Sequence, residues 1–185
     1  MSIRIANQKE ELFAYLDEVA NFSQFSLEKI GFDEQEKWKL NDGIISHESN
    51  GFFQVVGIEN VDNKKEQHLV LYQPQSALTG LIFHQEDDQI FVLMQARVEP
   101  GNTGIIQYGP TIQSTPANYL KIHGGKATSY IDYFLSLKIG CDLITHSIQH
   151  DLGLKYFQKS KSHHYLVVDE KIETEQNMIW ASLSS

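Results

Sequence analysis

An α+β fold, with a mixed or antiparallel sheet flanked by helices, is what the sequence predicts, and three observations predict it. Alternating apolar and polar residues fill the middle of the chain from about residue 44 to Pro116. Helical periodicity is confined to the two flanks. No internal repeat or low-complexity tract suggests a solenoid or a disordered segment instead.

The elements follow in order. Asn7 and Glu10 have the spacing of a helix N-cap and its reciprocal carboxylate, and Leu12, Leu16, Val19 and Ala20 then recur at helical spacing. That helix fades near NFSQFS, and GFDEQEKW reads as a polar connector. The expected organisation is therefore an N-terminal helical arm, 1–37, and a main module, 38–185. Strands are expected at GIISHE, FFQVVGIE, HLVLYQP, GLIFHQ and QIFVLMQARVE, separated by ESNG, ENVDNKKEQ and EDDQ. GPTIQSTPANY reads as a further strand ending at Pro116. Helix is expected again in TSYIDYFLSL, where Ile131, Phe134 and Leu135 share a face, and in IQHDLGLKYFQKS. HYLVVDE and NMIWASL close the chain as strands.

The bulk properties limit the function. At 185 residues the chain fits one domain and can bury a core without staples. Fifteen basic residues against 24 acidic leave a net charge of −9, with no Lys/Arg block, which argues against nucleic-acid or membrane-surface binding. The single cysteine, Cys141, allows no intramolecular disulfide and suits a reducing compartment. The N-terminal MSIRIANQKEELF has no signal-peptide core, and no run of about 18 apolar residues occurs, so a cytoplasmic location is expected.

The chemistry-bearing residues concentrate in one stretch. In QIFVLMQARVE, Val92, Met94, Ala96 and Val98 make one apolar face, while the other runs Phe91, Leu93 and then Gln95, Arg97, Glu99. Those three polar residues would line about 13 Å of strand, either as a solvated face or as one wall of a pocket. Glu99-Pro100-Gly101-Asn102 has the chemistry of a type II turn, with positive φ expected at Gly101. In the following strand Thr111, Gln113 and Thr115 share a face. If the two strands pair, six hydrogen-bonding side chains converge. Beyond Pro116, His123 precedes Gly124-Gly125, with Lys121 and Lys126 on either side, an arrangement that suits a phosphate or an ordinary turn.

The run FVLMQARVEPGNTGIIQYGPTIQSTPANYLKIHGG resembles the signature region of the NDP-hexose 2,3-dehydratase family of deoxysugar-biosynthesis enzymes. SNGFFQVVGIE and LYQP upstream, and LGLKYFQKSKSHHYLVV and IWASL downstream, extend the resemblance over roughly residues 38 to 183. It implies a Nudix-like fold and a substrate of the NDP-4-keto-6-deoxyhexose class, dTDP-linked by expectation. It also implies removal of the C3 proton, loss of the C2 hydroxyl, and a separate reductase that consumes the product. Such chemistry needs neither a metal nor a redox cofactor. Family members typically hold two copies of the module, whereas this chain holds one, so a homodimer is expected to replace the duplication.

Within that implied scheme Glu99 is the preferred base, with bracing of Arg97 as its alternative role. His123 or Tyr119 would protonate the leaving hydroxyl. Gln95, Gln113 and Asn118 suit sugar hydroxyls or the enolate oxygen, and Arg97, Lys121 and Lys126 the diphosphate. Asn102, Thr111 and Thr115 complete the expected substrate-binding set. An epimerase or ketoisomerase, or a non-catalytic nucleotide-sugar-binding module, are the competing readings.

Other signals are weaker. His146 and His150 stand four apart, but Ser147 occupies the place where a zinc protease needs Glu. The long glutamate-rich box of Nudix hydrolases is absent, which argues against a metal-dependent diphosphate hydrolase. No metal site is expected.

Overall fold

A computed structural model describes residues 2–121, 127–136 and 138–183. Its first strand, β1 (Ile5–Ala6), leads into helix α1 (Lys9–Phe22). The helix begins one residue later than the Asn7–Glu10 spacing suggests. Glu11, not Glu10, reaches back, and its Oε2 accepts the backbone N–H groups of Asn7 at 2.6 Å and Gln8 at 3.0 Å. Tyr15 and Val19 are the buried residues of its stripe, packed with Ala6, Ala96 and Ile179. The Tyr15 hydroxyl donates to the carbonyl of Met178, and the Tyr108 hydroxyl donates to that of Leu12 at 2.7 Å. Helix α1 thus lies against the strands that carry Ala96 and Ile179.

The strands fall into two sheets. The smaller contains β2 (Trp38–Asn41), β3 (Ile44–His47), β4 (Gln54–Glu59) and β5 (Gln67–Tyr72). The larger receives β6 (Ala77–Glu86), β7 (Gln89–Val98), β8 (Ile106–Gly109) and β9 (Ile112–Ser114). Two short helices follow, α2 (Pro116–Tyr119) and α3 (Ile131–Ser136). After them come β10 (Cys141–His150), β11 (Tyr156–Phe157), β12 (Ser160–Val168) and β13 (Met178–Ser182). The larger sheet runs β1-β13-β7-β6-β12-β10, and β11 joins the edge of the smaller sheet beside β5. Both contain parallel and antiparallel pairs, so the α+β expectation with mixed sheets holds.

One register feature positions everything that follows. β6 and β7 pair from Glu86↔Gln89 down to Ile82↔Leu93 and then part. The β8–β9 segment enters the gap, β8 pairing with β7 and β9 with β6. Thr111 stands at the crotch of this fork, 2% exposed. Its hydroxyl accepts from the Ile82 N–H at 3.0 Å and donates to the Leu93 carbonyl. It thereby relays between two backbone groups that would otherwise face each other as the strands separate.

The main core lies on the face opposite α1, around Trp180, Ile82, Leu93, Met178, Leu166 and Phe134. Gly80 is required there by a close approach. A methyl at that position would stand 2.1 Å from the Phe134 ring, so only glycine lets α3 settle on β6. Between the sheets, Lys159 is 3% exposed and donates from Nζ to Gln73 Oε1 at 3.1 Å and the Gln75 carbonyl at 2.5 Å. Burial pushes its ammonium below the usual lysine range.

Three local expectations are corrected. The helix expected in IQHDLGLKYFQKS is absent. Residues 148–150 end β10, a bend at Gly153 (φ +94°) follows, and β11 and β12 take the rest. Pairing of β10 with β12 from Cys141↔Val168 to His150↔Ser160 satisfies the backbone along both strands and overrides the local helical pattern. The Glu99–Asn102 turn closes, with the Asn102 N–H on the Glu99 carbonyl at 3.2 Å, but Gly101 is not in the left-handed region. Positive φ falls instead at Gly104 (+79°) and Ile105 (+74°). The strand carrying Gln113 pairs with β6, not with β7, so the six-side-chain face does not form.

Candidate functional site

The fork opens into a cleft of about 360 Å³ lined by Gln95, Arg97, Thr111, Ile112, Gln113 and Ser114, and by residues of α2 and the approach to α3. Its walls follow from the register. Ile82 faces Leu93, and Gly80 faces Ile112, so Leu93, Gln95 and Arg97 lie on the same side of the sheet as Ile112 and Ser114. The apolar face of Leu93 and Ile112 belongs to the core. Where β7 outruns that core, its next same-side residues are Gln95 and Arg97. A buried strand therefore turns polar at the point where the sheet splits and a cleft appears.

Arg97 is the centre of the wall, its side chain 20% exposed. Its Nε donates to Glu99 Oε1 at 2.9 Å, Nη2 donates to the same oxygen, and Nη1 donates to Gln95 Oε1 at 3.2 Å. The polar row Gln95–Arg97–Glu99 is thus one hydrogen-bonded chain held by the guanidinium. Glu99 does not line the main cleft. It borders a shallow notch with Gln95, Arg97, Val98 and Asn177, and Arg97 occupies its Oε1.

Across the cleft, α2 begins with Pro116 in its first turn, where a missing N–H costs nothing. It presents Asn118, with Lys121 just beyond its end. Both are exposed, as is Gln113. Ser114 Oγ and Thr128 Oγ1 lie 3.2 Å apart and tie β9 to the segment before α3. Lys121 also borders a second cleft that includes Tyr119, Tyr130, Tyr133 and Lys138. Tyr130 donates to the Glu173 carbonyl at 3.0 Å and accepts the Glu175 N–H at 3.0 Å. Burial pushes its phenol up to about 12.

Of the residues singled out from the sequence, Gln95, Arg97, Thr111, Gln113, Asn118 and Lys121 meet at one cleft. The Thr111 hydroxyl is spent on the strand fork. Asn102 stands away from the cleft, its amide donating to the carbonyls of Arg97 at 2.8 Å and Ile105 at 3.1 Å. Thr115 is half-buried as the residue preceding α2, and Tyr119 packs on the core beside the second cleft. His123 and Lys126 lie outside the described residues. His146 and His150 sit in an extended strand, about 13 Å apart by its rise, so their spacing does not bring them together. His146 instead meets the His164 ring edge-on at 5.6 Å. Among the described residues no group of three or more His, Cys, Asp or Glu could hold a metal ion.

Sequence reasoning passed over Ser114 and Thr128. The parity of β9 was readable from Ile112, whose apolar side chain marks the core side. Ser114 shares that side two residues on, whereas the Thr-x-Gln-x-Thr pattern draws attention to the other.

Comparison with known proteins identifies the family. The dTDP-4-dehydro-6-deoxy-alpha-D-glucopyranose 2,3-dehydratase of Amycolatopsis orientalis is 27% identical over 185 residues, covering 94% of this chain and 39% of the relative. The enzyme of the same name from Saccharopolyspora spinosa is 27% identical over 179 residues, covering 94% and 37%. The chain therefore spans about two fifths of the length of these relatives. Among solved structures, an ADP compounds hydrolase is similar at 13% identity and a TM-score of 0.37, over 86% of this chain and 80% of that one. A Nudix hydrolase from M. smegmatis is similar at 12% and 0.33, over 68% and 79%. Likenesses that faint carry no argument. The profile of the NDP-hexose 2,3-dehydratase family matches residues 9–185, nearly the whole chain and all of the cleft, and the chain belongs to that family.

Proposed function

We propose that the chain works as a nucleotide-sugar 2,3-dehydratase on an NDP-4-keto-6-deoxyhexose, dTDP-linked as in the names of its relatives. The observation that carries the reading is the cleft at the strand fork, whose polar wall is built from the same run that resembles the family signature. In the proposed reaction the C4 ketone acidifies the C3 proton, a base removes it, and the enolate expels the C2 hydroxyl as water once an acid protonates it. Tautomerisation then gives a 2,6-dideoxy-3,4-diketo sugar, reactive enough that a separate reductase must take it up.

The cleft supports some roles better than others. Arg97 and Lys121 both line it and suit the diphosphate. Gln95, Gln113 and Asn118 supply amide groups for hydroxyls or the enolate oxygen. Glu99 stays in the proposal as base through Oε2, the oxygen that Arg97 does not engage. Tyr119 or His123 is the proposed acid. A Nudix-like arrangement of the mixed sheet and a cytoplasmic location belong to the same reading. Among the described residues no helix is long and apolar enough to cross a membrane.

The protein is further proposed to act as a homodimer. Support comes from the smaller sheet, where Leu40, Ile45, Val55 and Leu71 stand opposite one another in a row across four strands. None of the four is buried. That row carries no formal charge, so it adds no charge repulsion of its own against a second copy of a chain of net charge −9.

The test of the activity is incubation with a dTDP-4-keto-6-deoxyhexose in deuterated water, with and without a reductase. Loss of the C2 oxygen is the expected result. Deuterium at C3 without that loss would instead make the protein an epimerase or ketoisomerase, and binding with neither would make it a binding module.

A further inference from the structure

Gly109 is the residue of β8 that stands directly opposite Gln95 on β7. Its φ is not in the left-handed region, so the backbone itself does not call for glycine. Room does. A methyl built at Gly109 would stand 2.6 Å from Arg97 Cδ, 3.4 Å from Cγ and 3.8 Å from Nε, and these three nearest atoms all belong to Arg97. The Arg97 stem therefore leans diagonally over the bare backbone of Gly109, from its own position opposite Gln107 towards Gln95.

We propose that Gly109 is a positioning residue for Arg97. By lacking a side chain it lets the Arg97 stem lie flat across β8, which sets the guanidinium between Gln95 and Glu99 on the wall of the cleft. Three of the five guanidinium N–H donors are then taken, one from Nε and one from each Nη. Among the described residues one N–H on each Nη has no partner, and these are donors that the oxygens of a phosphate can accept. Laying the stem down before the ligand arrives also removes rotamer freedom that binding would otherwise have to freeze. The identity of the ligand rests on the nucleotide-sugar reading, but the placement of Arg97 does not.

Two measurements on Gly109→Ala, Arg97→Ala and the double variant test the proposal. The first is the Arg97 Nε–H resonance in the ligand-free protein, which should shift in Gly109→Ala. The second is calorimetric binding of dTDP, which should weaken about tenfold in Gly109→Ala, as expected for a displaced charge-assisted contact. In the Arg97→Ala background, adding Gly109→Ala should change dTDP binding by less than twofold and should lower the melting temperature less than it does alone. A merely structural glycine would show the same loss in both backgrounds, and that outcome overturns the proposal. So does an unmoved Arg97 resonance. If the wild-type protein does not bind dTDP, the nucleotide reading falls, and the resonance and the melting temperatures still decide the role of Gly109.

Discussion

Replacing Thr111 by Val probes the fork on which the cleft depends. Valine nearly matches threonine in shape, so the core should not open, and what is lost is the hydroxyl relay between the Ile82 N–H and the Leu93 carbonyl. Both groups would then be buried without a partner, at about 1–3 kcal/mol each. Taking about 3 kcal/mol in total, against about 5–15 kcal/mol for a whole domain, the variant should fold with a markedly thinner margin. For a chain of this size that corresponds to a melting temperature lower by about 6–12 °C. Thr111→Ser keeps the relay and loses one methyl, about 1 kcal/mol or about 2–4 °C. Thermal unfolding followed by circular dichroism or calorimetry ranks the three proteins. If Thr111→Val proves as stable as Thr111→Ser, or more so, the hydroxyl is not what holds the parted strands and the account of the fork fails.

Tyr130 is held near 12 by burial, against 10 for a free tyrosine, so the folded protein keeps a proton that the unfolded chain gives up. The stability this contributes is whole below pH 10 and drains away as the pH climbs towards 12. Tyr130→Phe should flatten that part of the alkaline unfolding curve, as denaturant titrations at pH 9 and pH 11 will show. For the proposed dimer, Leu40→Asp with Val55→Asp should turn a sedimentation dimer into a monomer without altering the far-ultraviolet spectrum. A wild-type monomer at about 100 μM, a concentration at which even a micromolar dimer would be nearly saturated, sinks the dimer itself.

Much of the fold was legible because its signals are local. The apolar runs that become β5, β6 and β7, and the helical recurrence of Leu12, Leu16 and Val19, each announce an element before any partner is known, although the structure adds Tyr15 to the buried stripe and leaves Ala20 exposed. What could not be read was pairing. Nothing within 106–114 says that one segment will pair with β7 at Gln95–Val98 and, after Thr111, with β6 at Leu78–Gly80. That fork is a property of three strands together. It decides which side chains share the cleft, which is why Ser114 was passed over and why Thr111, read as a ligand-facing hydroxyl, serves the backbone instead. β10 was missed for a related reason. Its residues Asp142 to His150 are exposed, so no apolar alternation marks them, and only the ladder to β12 makes them a strand.

The fork also sharpens what Glu99 can be. A carboxylate at the end of a solvated strand and a general base look alike in sequence, and the structure adds a guanidinium on Oε1 and a position just outside the cleft. If Glu99 only braces Arg97, then Glu99→Gln should still offer a carbonyl oxygen to that guanidinium and keep much of the wall in place. Ligand affinity would then fall about threefold to tenfold, through a weaker hold on Arg97, while deuterium exchange at C3 continued at saturating substrate. If Oε2 takes the C3 proton, the amide cannot, and exchange at saturation should drop by about a hundredfold or more with affinity little changed. The two roles thus separate cleanly into a change in binding and a change in turnover. Loss of both together would mean that the brace and the base are one group, with Arg97 fixing the carboxylate that does the chemistry.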